Sequence, residues 1–320
     1  MRFFLVFIFL AIILGAMLVA ASLYFYNVAI KRSKKEFLRD DPDLQPPKRE
    51  QEVDAGQKRT ELSGRDWLEL QPLETWQMES DDGLRLVAHY LPANTPTLKT
   101  VVLAHGYTSQ GKDMGSFARF YRDDLGYNVL MPDARGHGQS GGDYIGFGWP
   151  ERKDYLLWIQ ELLTRLGDDV QIVLHGISMG GATVMMVSGE PLPNQVKAII
   201  EDCGYTSAWD ELAYQLKRMY KLPVFPILPA TSFVTRKKAG YSLSEASALK
   251  QLERNTRPML FIHGEEDRFV PMEMVWELYQ ACQSEKEIYI VKGAGHGTAF
   301  GTDRVAYVQK VRAFLDRFID

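Results

Sequence analysis

Three residue types that together perform acyl transfer follow one another along the chain in the order serine, aspartate, histidine. They are Ser178, Asp267 and His296. A serine hydroxyl is a weak nucleophile until a base takes its proton, and an imidazole titrates near neutral pH, where it can act as that base. A carboxylate fixes the tautomer of the imidazole and stabilises its charge after protonation. The order therefore predicts Ser178 as nucleophile, His296 as base and Asp267 as the supporting acid.

Ser178 lies at the centre of a Gly-x-Ser-x-Gly sequence, between Gly176 and Gly180. The apolar run 170–175 precedes it and small residues follow it, which predicts a strand, a sharp turn and a helix. Such a turn holds the serine in a strained backbone conformation, and only small neighbours fit on either side. The hydroxyl would then stand above a sheet at a helix N-terminus, where backbone N–H groups stabilise a developing anion.

Other acids and histidines compete for the same roles. Glu265 and Glu266 directly precede Asp267, but the Gly-x-x-Asp spacing after the predicted strand favours Asp267 as the acid. Three further histidines stand at strand ends just before a glycine and are interpreted as structural rather than catalytic: His105, His175 and His263.

The sequence predicts neither a metal nor another cofactor, because no group of residues has the spacing of a metal site. Residues 136–141 match the Gly-x-Gly-x-x-Gly pattern of dinucleotide sites. The glycine-rich continuation does not open a helix, as that fingerprint requires. We interpret the segment as a loop after the strand at 127–131.

Apolar runs alternate with amphipathic stretches through most of the chain. The predicted strands are 74–78, 84–90, 100–104, 127–131, 170–175, 196–202, 259–263 and 287–291, and the predicted helices are 114–124, 151–166, 180–189, 272–282 and 303–318. The first two strands flank an Asp-Gly turn and form an antiparallel pair. The alternation that follows predicts an α/β fold, a mostly parallel sheet with helices on both faces.

The N-terminal residues 3–30 carry no charged side chain. This run exceeds the roughly 20 residues that a helix needs to span a bilayer. A secretory signal peptide cleaved after the alanines near residue 21 is the alternative. We favour an uncleaved anchor, because the apolar run continues to residue 30 and then meets a basic flank, 31–35. The expected division is an anchor at 1–30, a polar linker at 31–66 and a catalytic domain at 67–320.

The flanking charges predict the orientation of this anchor. Arg2 and the amino terminus lie on one side of the span, and four basic residues lie just beyond it on the other side. By the positive-inside rule, the N-terminus would lie outside and the catalytic domain in the cytoplasm. The protein is thus expected to be a single-pass protein of the cell membrane.

A long insertion separates the predicted strands that end at 202 and begin at 259. It contains a predicted helix at 209–220, an apolar and proline-rich stretch at 222–229, and a basic patch at 236–238. A simple crossover needs far fewer residues. We interpret residues 205–250 as a cap, whose apolar stretch would suit an acyl chain; an ordinary helical excursion at the sheet edge is the alternative.

The composition excludes other classes of protein. A net charge of −4 gives no electrostatic basis for binding nucleic acid. The two cysteines, Cys203 and Cys282, form neither a disulfide framework nor a zinc site. Two reduced, buried thiols are the simpler interpretation, and a single bridge is the alternative.

The chain resembles the α/β-hydrolase superfamily of serine hydrolases, in particular its monoacylglycerol-lipase-like and serine-aminopeptidase-like domains and its membrane-anchored bacterial members. The resemblance rests on residues 103–107, 133–140 and 176–180 and on the loops of Asp267 and His296. It implies that the backbone N–H groups of Tyr107 and Met179 form the oxyanion hole. The substrate pocket is expected to include three residues near these motifs: His105, Cys203 and Tyr205.

These observations predict a serine hydrolase that cleaves a carboxylic ester or an acylglycerol through an acyl-enzyme on Ser178. The expected partners are a small acyl substrate, including a lipid, and the membrane through the N-terminal helix. An acyl thioesterase or a serine peptidase on the same fold is the alternative, because one fold hosts many reactions. A non-catalytic membrane scaffold is a further alternative, which the complete set of Ser178, Asp267 and His296 disfavours.

Overall fold

The computed structural model describes residues 2–44 and 62–320. Within that part, one sheet contains eight strands: β1 (Glu74–Glu79), β2 (Arg85–Leu91), β3 (Lys99–Ala104), β4 (Asn128–Asp133), β5 (Gln171–Ile177), β6 (Val196–Asp202), β7 (Met259–Gly264) and β8 (Lys286–Val291). Their order across the sheet is β1-β2-β4-β3-β5-β6-β7-β8. β2 pairs antiparallel with both β1 and β4, and the remaining pairs are parallel. The predicted α/β fold with a mostly parallel sheet is confirmed.

Most of the helices connect these strands and cover the sheet, whereas the N-terminal helix precedes the strands and is mostly exposed. They are α1 (Arg2–Phe25), α2 (Gly64–Glu69), α3 (Gly115–Arg119), α4 (Glu151–Leu166), α5 (Met179–Ser188), α6 (Ala208–Tyr220), α7 (Ile227–Ala239), α8 (Ala248–Leu252), α9 (Glu273–Ala281), α10 (Ala299–Thr302) and α11 (Arg304–Leu315).

Two hydrophobic cores lie on opposite faces of the sheet. In β3, Val101 and Leu103 belong to one core, whereas Val102 and Ala104 belong to the other. Successive side chains of a strand point to opposite faces, so a strand that is apolar at every position contributes to both cores. This explains why the central strands read as continuous apolar runs. Because these strands run parallel, their carboxyl ends lie at one edge of the sheet.

The insertion between β6 and β7 folds into helices α6, α7 and α8. The sequence predicts α6 closely but not α7, whose first turn contains Pro229. A proline in the first helical turn removes no helical hydrogen bond, because the N–H groups there have no partner within the helix. Pro226 and Pro229 of the proline-rich stretch therefore mark the beginning of a helix.

The N-terminal helix α1 continues through one π-helical turn, Tyr26–Ile30. Side chains before this turn are mostly exposed, whereas Tyr26 and Ile30 are buried against the catalytic domain. The span Arg2–Ile30 is long and apolar enough to cross a membrane, a property that it would share with a signal sequence.

The described part of the predicted linker lies against the domain. The Arg32 guanidinium donates hydrogen bonds to the carbonyls of Gly138 and Ser140, each at 2.8 Å. At the other end of the segment, Arg218 of α6 pairs with Asp41 and Asp43. Residues 45–61 of the predicted linker lie outside the described residues. The division into anchor, linker and catalytic domain stays a prediction.

Candidate active site

Ser178 stands between the end of β5 and the beginning of α5 with φ 56° and ψ −117°. This left-handed conformation is strained for a residue with a side chain. A Cβ atom added to Gly176 would overlap the carbonyl oxygen of Gly180, and one added to Gly180 would overlap that of Ala104. The two glycines of the motif are therefore required by close backbone packing, and the turn presents the serine at the carboxyl edge of the sheet.

His296 contacts Ser178 directly. It lies in the loop after β8, and its Nε2 atom is 2.8 Å from the Ser178 Oγ atom. The distance of 2.8 Å is within hydrogen-bonding range, so the imidazole can take the hydroxyl proton. The Phe269 ring packs beside the imidazole at a tilt, with the ring centroids 5.0 Å apart.

Asp267 lies on the far side of the imidazole. One carboxylate oxygen is 2.7 Å from His296 Nδ1, and the other accepts hydrogen bonds from the backbone N–H groups of Phe269 and Val270. Burial opposes ionisation of the carboxyl, but His296 and His263 outweigh it and hold the pKa of Asp267 well below its ordinary value. Asp267 is therefore a carboxylate at neutral pH and fixes the orientation of His296.

The competing acids point elsewhere. Glu265 and Glu266 are both exposed, unlike the buried Asp267. One Glu265 oxygen accepts a hydrogen bond from the backbone N–H of Gly293. Of these three neighbouring acids, Asp267 is the one in contact with His296.

His263 is a second histidine at this carboxylate, and sequence reasoning missed the contact. Its Nε2 atom lies 3.3 Å from Asp267 and 3.0 Å from the carbonyl oxygen of Val270. Burial lowers its proton affinity, but the hydrogen bond to Asp267 outweighs this effect and raises the pKa of His263. The spacing of four residues between His263, at the end of β7, and Asp267 was the available signal.

Tyr107 and Met179 lie on two sides of Ser178. Met179 is the first residue of α5, so it carries one of the N–H groups that a helix leaves unpaired at its N-terminus. Tyr107 follows Gly106, where an added Cβ atom would lie 3.5 Å from Ser178 Cβ. The turn after β3 thus passes close beside the serine.

Two pockets reach Ser178. The first is almost entirely apolar and lies between the cap, the turn of Tyr107 and the end of α1. The second is more polar than the first, although apolar side chains such as Phe117 and Phe300 share its lining with Ser109, Asp113, His296 and Thr298. Since both pockets have Ser178 and Tyr107 in their walls, a bond placed at the serine would have an apolar side and a polar side.

Of the three expected pocket residues, Tyr205 lines the apolar pocket. His105 and Cys203 are buried, and neither lies in the described walls of these two pockets. The His105 Nε2 atom instead accepts a hydrogen bond of 3.0 Å from the backbone N–H of Ala134. Burial lowers the pKa of His105, which suits a neutral, structural imidazole.

One potential ligand atom each from Cys203, Asp267 and His296 lies within 4.8 Å of the others. A metal would need the thiolate form of Cys203. Burial raises the pKa of this thiol well above its ordinary value, so in the metal-free protein the sulfur is protonated at neutral pH. Asp267 and His296 already bind each other, and the group suits proton transfer better than metal binding. Cys203 and Cys282 are both free thiols.

Comparisons with known proteins show the family of this chain. The sequence model of Peptidase_S9, the prolyl oligopeptidase family, matches residues 115–320. The uncharacterized protein YqkD of Bacillus subtilis (strain 168) is 32% identical over 232 residues, which cover 72% of this chain and 75% of that protein.

Solved structures share the fold. The esterase Pf2001 of Pyrococcus furiosus is 24% identical, with a TM-score of 0.65 over 81% of this chain and 97% of that chain. The acylaminoacyl peptidase of Pyrococcus horikoshii is 20% identical, with a TM-score of 0.58 over 80% of this chain and 43% of that chain. The chain has the fold of these structures, and the family model matches more than half of its length. The chain therefore belongs to the prolyl oligopeptidase family of the α/β-hydrolase superfamily.

Proposed function

We propose that this hydrolase cleaves carboxylic esters or acylglycerols through an acyl-enzyme on Ser178. The observation that carries the proposal is the continuous contact from Ser178 through His296 to Asp267, at the junction of an apolar pocket and a more polar one. An ester has the same two sides, an acyl chain and an alcohol.

The chemistry follows from these contacts. His296 takes the proton of the Ser178 hydroxyl while the oxygen attacks the acyl carbonyl. The tetrahedral intermediate collapses, the bond to the alcohol oxygen breaks, and His296 gives that oxygen the proton. Water then attacks the acyl carbon while His296 takes its proton. The bond from that carbon to Ser178 Oγ breaks, His296 returns the proton to Oγ, and the acid leaves. Asp267 stays ionised throughout and stabilises the protonated imidazole.

The oxyanion would be held by the backbone N–H groups of Tyr107 and Met179. Support comes from the position of Met179 at the N-terminus of α5 and from the close approach of the Gly106 turn to Ser178. Preorganised donors of this kind commonly contribute ~10²–10³ in rate.

A serine peptidase and an acyl thioesterase are the competing functions. The fold likeness to an acylaminoacyl peptidase favours the first of these. The apolar wall at Ser178 favours an acyl chain over a peptide, because it offers few partners for peptide N–H and C=O groups.

We also propose that α1 is a single-pass anchor and that the catalytic domain faces the cytoplasm. Residues 1–30 would be the anchor, 31–66 a linker and 67–320 the hydrolase with its cap at 205–250. The basic flank after residue 30 supports this orientation.

Labelling with a fluorophosphonate probe and a substrate panel tests the function. The panel contains p-nitrophenyl esters, acylglycerols, acyl-CoA and aminoacyl amides. We expect Ser178→Ala to abolish labelling and to lower ester turnover by several orders of magnitude, ~10⁴ or more. Ser244→Ala, at an exposed serine of the cap, is the control and should retain both. Near-normal turnover of Ser178→Ala would refute the nucleophile, and a preference for aminoacyl amides or acyl-CoA would replace the ester assignment.

A further inference from the structure

We infer that the end of the N-terminal helix is a wall of the acyl pocket, so that the enzyme takes up the long acyl chain of an ester dissolved in the bilayer. This inference rests on the proposed esterase function and names its substrate class. The sequence predicts the anchor and the catalytic site as separate parts of the chain, whereas the structure joins them.

The apolar pocket has one wall from each part. Phe25, Val28 and Ala29 contribute from the N-terminal segment, and Leu216 and Leu228 contribute from the cap helices α6 and α7. Ser178 lies in the same pocket. An acyl chain bound at the serine would therefore lie between the anchor and the cap.

Hydrogen bonds fix the anchor wall in place. The Tyr107 hydroxyl donates to the Ala29 carbonyl at 2.7 Å. The Lys35 ammonium donates to the carbonyls of Val28 and Lys31, at 2.6 and 2.7 Å. These carbonyls lie at the end of the helix, where the backbone oxygens lack helical partners. The buried Lys35 supplies the missing donor, and these bonds hold the end of the helix in a defined position.

Side-chain packing joins the same segment to the cap. α1 packs along α7, the Phe25 and Tyr220 rings meet edge to face with centroids 5.0 Å apart, and the Lys238 ammonium lies 5.4 Å above the Tyr26 ring. Ile30 is fully buried, and its carbonyl accepts a hydrogen bond from the backbone N–H of Ile145 at 2.8 Å.

The pocket begins where the lipid-facing surface of the helix ends. Large apolar side chains are exposed from Phe3 to Tyr24, about the length that a bilayer core needs, and Phe25 is the next residue. The cap adds exposed Phe225 and Phe233 near the basic residues 236–238, a combination typical of a surface that rests on anionic lipid. An acyl chain can therefore pass from the bilayer into the pocket along apolar surface.

The polar pocket accounts for the other half of the substrate. Ser109, Asp113 and Thr298 offer hydrogen-bonding groups in the second pocket at Ser178. The alcohol portion of a lipid ester would occupy this side, which leaves the scissile bond at the serine.

The test uses the full-length protein in phosphatidylcholine nanodiscs with p-nitrophenyl acetate and p-nitrophenyl palmitate. Val28→Trp places a large side chain in the apolar pocket from the anchor wall. Asn27→Trp places the same side chain at the neighbouring exposed position and is the control. We expect Val28→Trp to lower kcat/KM for the palmitate about tenfold more than for the acetate. Asn27→Trp should leave the ratio of the two esters as in the wild type. Equal losses on both esters, or none, would overturn the role of this wall.

A second arm tests the source of the acyl chain. The wild-type enzyme is given p-nitrophenyl palmitate either dissolved in its own nanodisc or carried on albumin, and the two rates of hydrolysis are compared. Faster turnover of the co-embedded ester supports entry from the bilayer, and equal rates reject it. If Val28→Trp does not accumulate, Val28→Ala takes its place. This variant widens the pocket and should therefore hydrolyse esters of branched acyl chains better, relative to the palmitate ester, than the wild type does. An unchanged preference would contradict the role of Val28 in the pocket wall.

The two proposals fail in different ways. A wild-type protein that hydrolyses neither ester, with Ser178→Ala indistinguishable from it, refutes the esterase function. Suppose instead that p-nitrophenyl acetate is hydrolysed in a way that depends on Ser178, with no preference for p-nitrophenyl palmitate. This result keeps the esterase function and refutes the proposal that the substrate is a long-chain ester from the bilayer.

Discussion

The side-chain hydroxyl of Tyr107 donates a hydrogen bond of 2.7 Å to the backbone carbonyl of Ala29. Tyr107 lines both pockets at Ser178, and Ala29 lines the apolar one. Burial raises the pKa of Tyr107, so the hydroxyl keeps its proton at neutral pH and stays a donor. One side chain thus connects the end of the N-terminal helix to the turn that we propose holds the oxyanion.

Tyr107→Phe removes this hydrogen bond and keeps the backbone N–H. The partly buried Ala29 carbonyl loses its donor, which typically costs ~1–3 kcal/mol of stability. We expect a lower thermal unfolding midpoint and less than about a tenfold loss in kcat for p-nitrophenyl acetate. Tyr214→Phe, which removes a hydroxyl bonded to the exposed Arg268 carbonyl, is the matched control. A loss as severe as that of Ser178→Ala, with normal stability, would instead assign the hydroxyl to the chemistry.

Asp267→Asn tests the acid. The amide would stabilise the wrong imidazole tautomer and remove the charge that supports protonated His296, so kcat should fall by ~10⁴. Glu266→Gln changes an exposed neighbour in the same loop and should stay within about twofold of the wild type, as surface substitutions commonly do. Steady-state kcat for the two variants decides between them. A severe loss at Glu266 with a mild one at Asp267 would transfer the role.

Much of the fold and the meeting of three distant residues could be predicted from the sequence. Ser178, Asp267 and His296 each follow an apolar run, and the carboxyl ends of parallel strands share one edge of a sheet. Once β5, β7 and β8 are recognised, their end residues must come close together. The catalytic roles of these residues stay a prediction.

The contact between Ala29 and Tyr107 could not be predicted in this way. Residues 31–44 read as a polar tether by composition, because their charged side chains give no apolar periodicity. In the structure, Arg32 and Lys35 donate to backbone carbonyls. The tertiary fold decides which backbone carbonyl accepts such a hydrogen bond. Every residue has a backbone carbonyl, so the sequence does not show which one will be the partner. The contact of His263 with Asp267 was not predicted either, because the position of His263 at a strand end indicated a structural histidine.

Glu211 of α6 is a buried acid in the wall of the apolar pocket. One oxygen accepts a hydrogen bond from Gln215, and the other has no partner among the described residues. Burial raises the pKa of Glu211 to about 8, from an ordinary value of 4.5. The carboxyl is therefore protonated at neutral pH, which keeps the pocket uncharged.

Glu211→Gln should consequently change the pH dependence of stability. Between pH 4.5 and about 8, folded Glu211 holds a proton that the unfolded chain has lost, so wild-type stability falls as pH rises through this window. The slope for one proton is at most about 1.4 kcal/mol per pH unit. The variant lacks this titration, so its unfolding midpoint relative to the wild type should rise from pH 5 to pH 8 and then level off. A difference that stays constant over this range would contradict the raised pKa.

The full-length protein should remain in the membrane fraction after high-salt and alkaline washing, because α1 presents more apolar surface than a bilayer core requires. We expect the N-terminal sequence of the extracted protein to begin at Met1 or Arg2. Activity cannot replace this measurement, since cleavage near Ser22 would leave Phe25, Val28 and Ala29 in the pocket wall. A mature chain that begins near Ser22 would identify a signal peptide and a secreted enzyme. That result would reverse both the anchor and the cytoplasmic placement, and would leave the bilayer without a covalent link to the pocket.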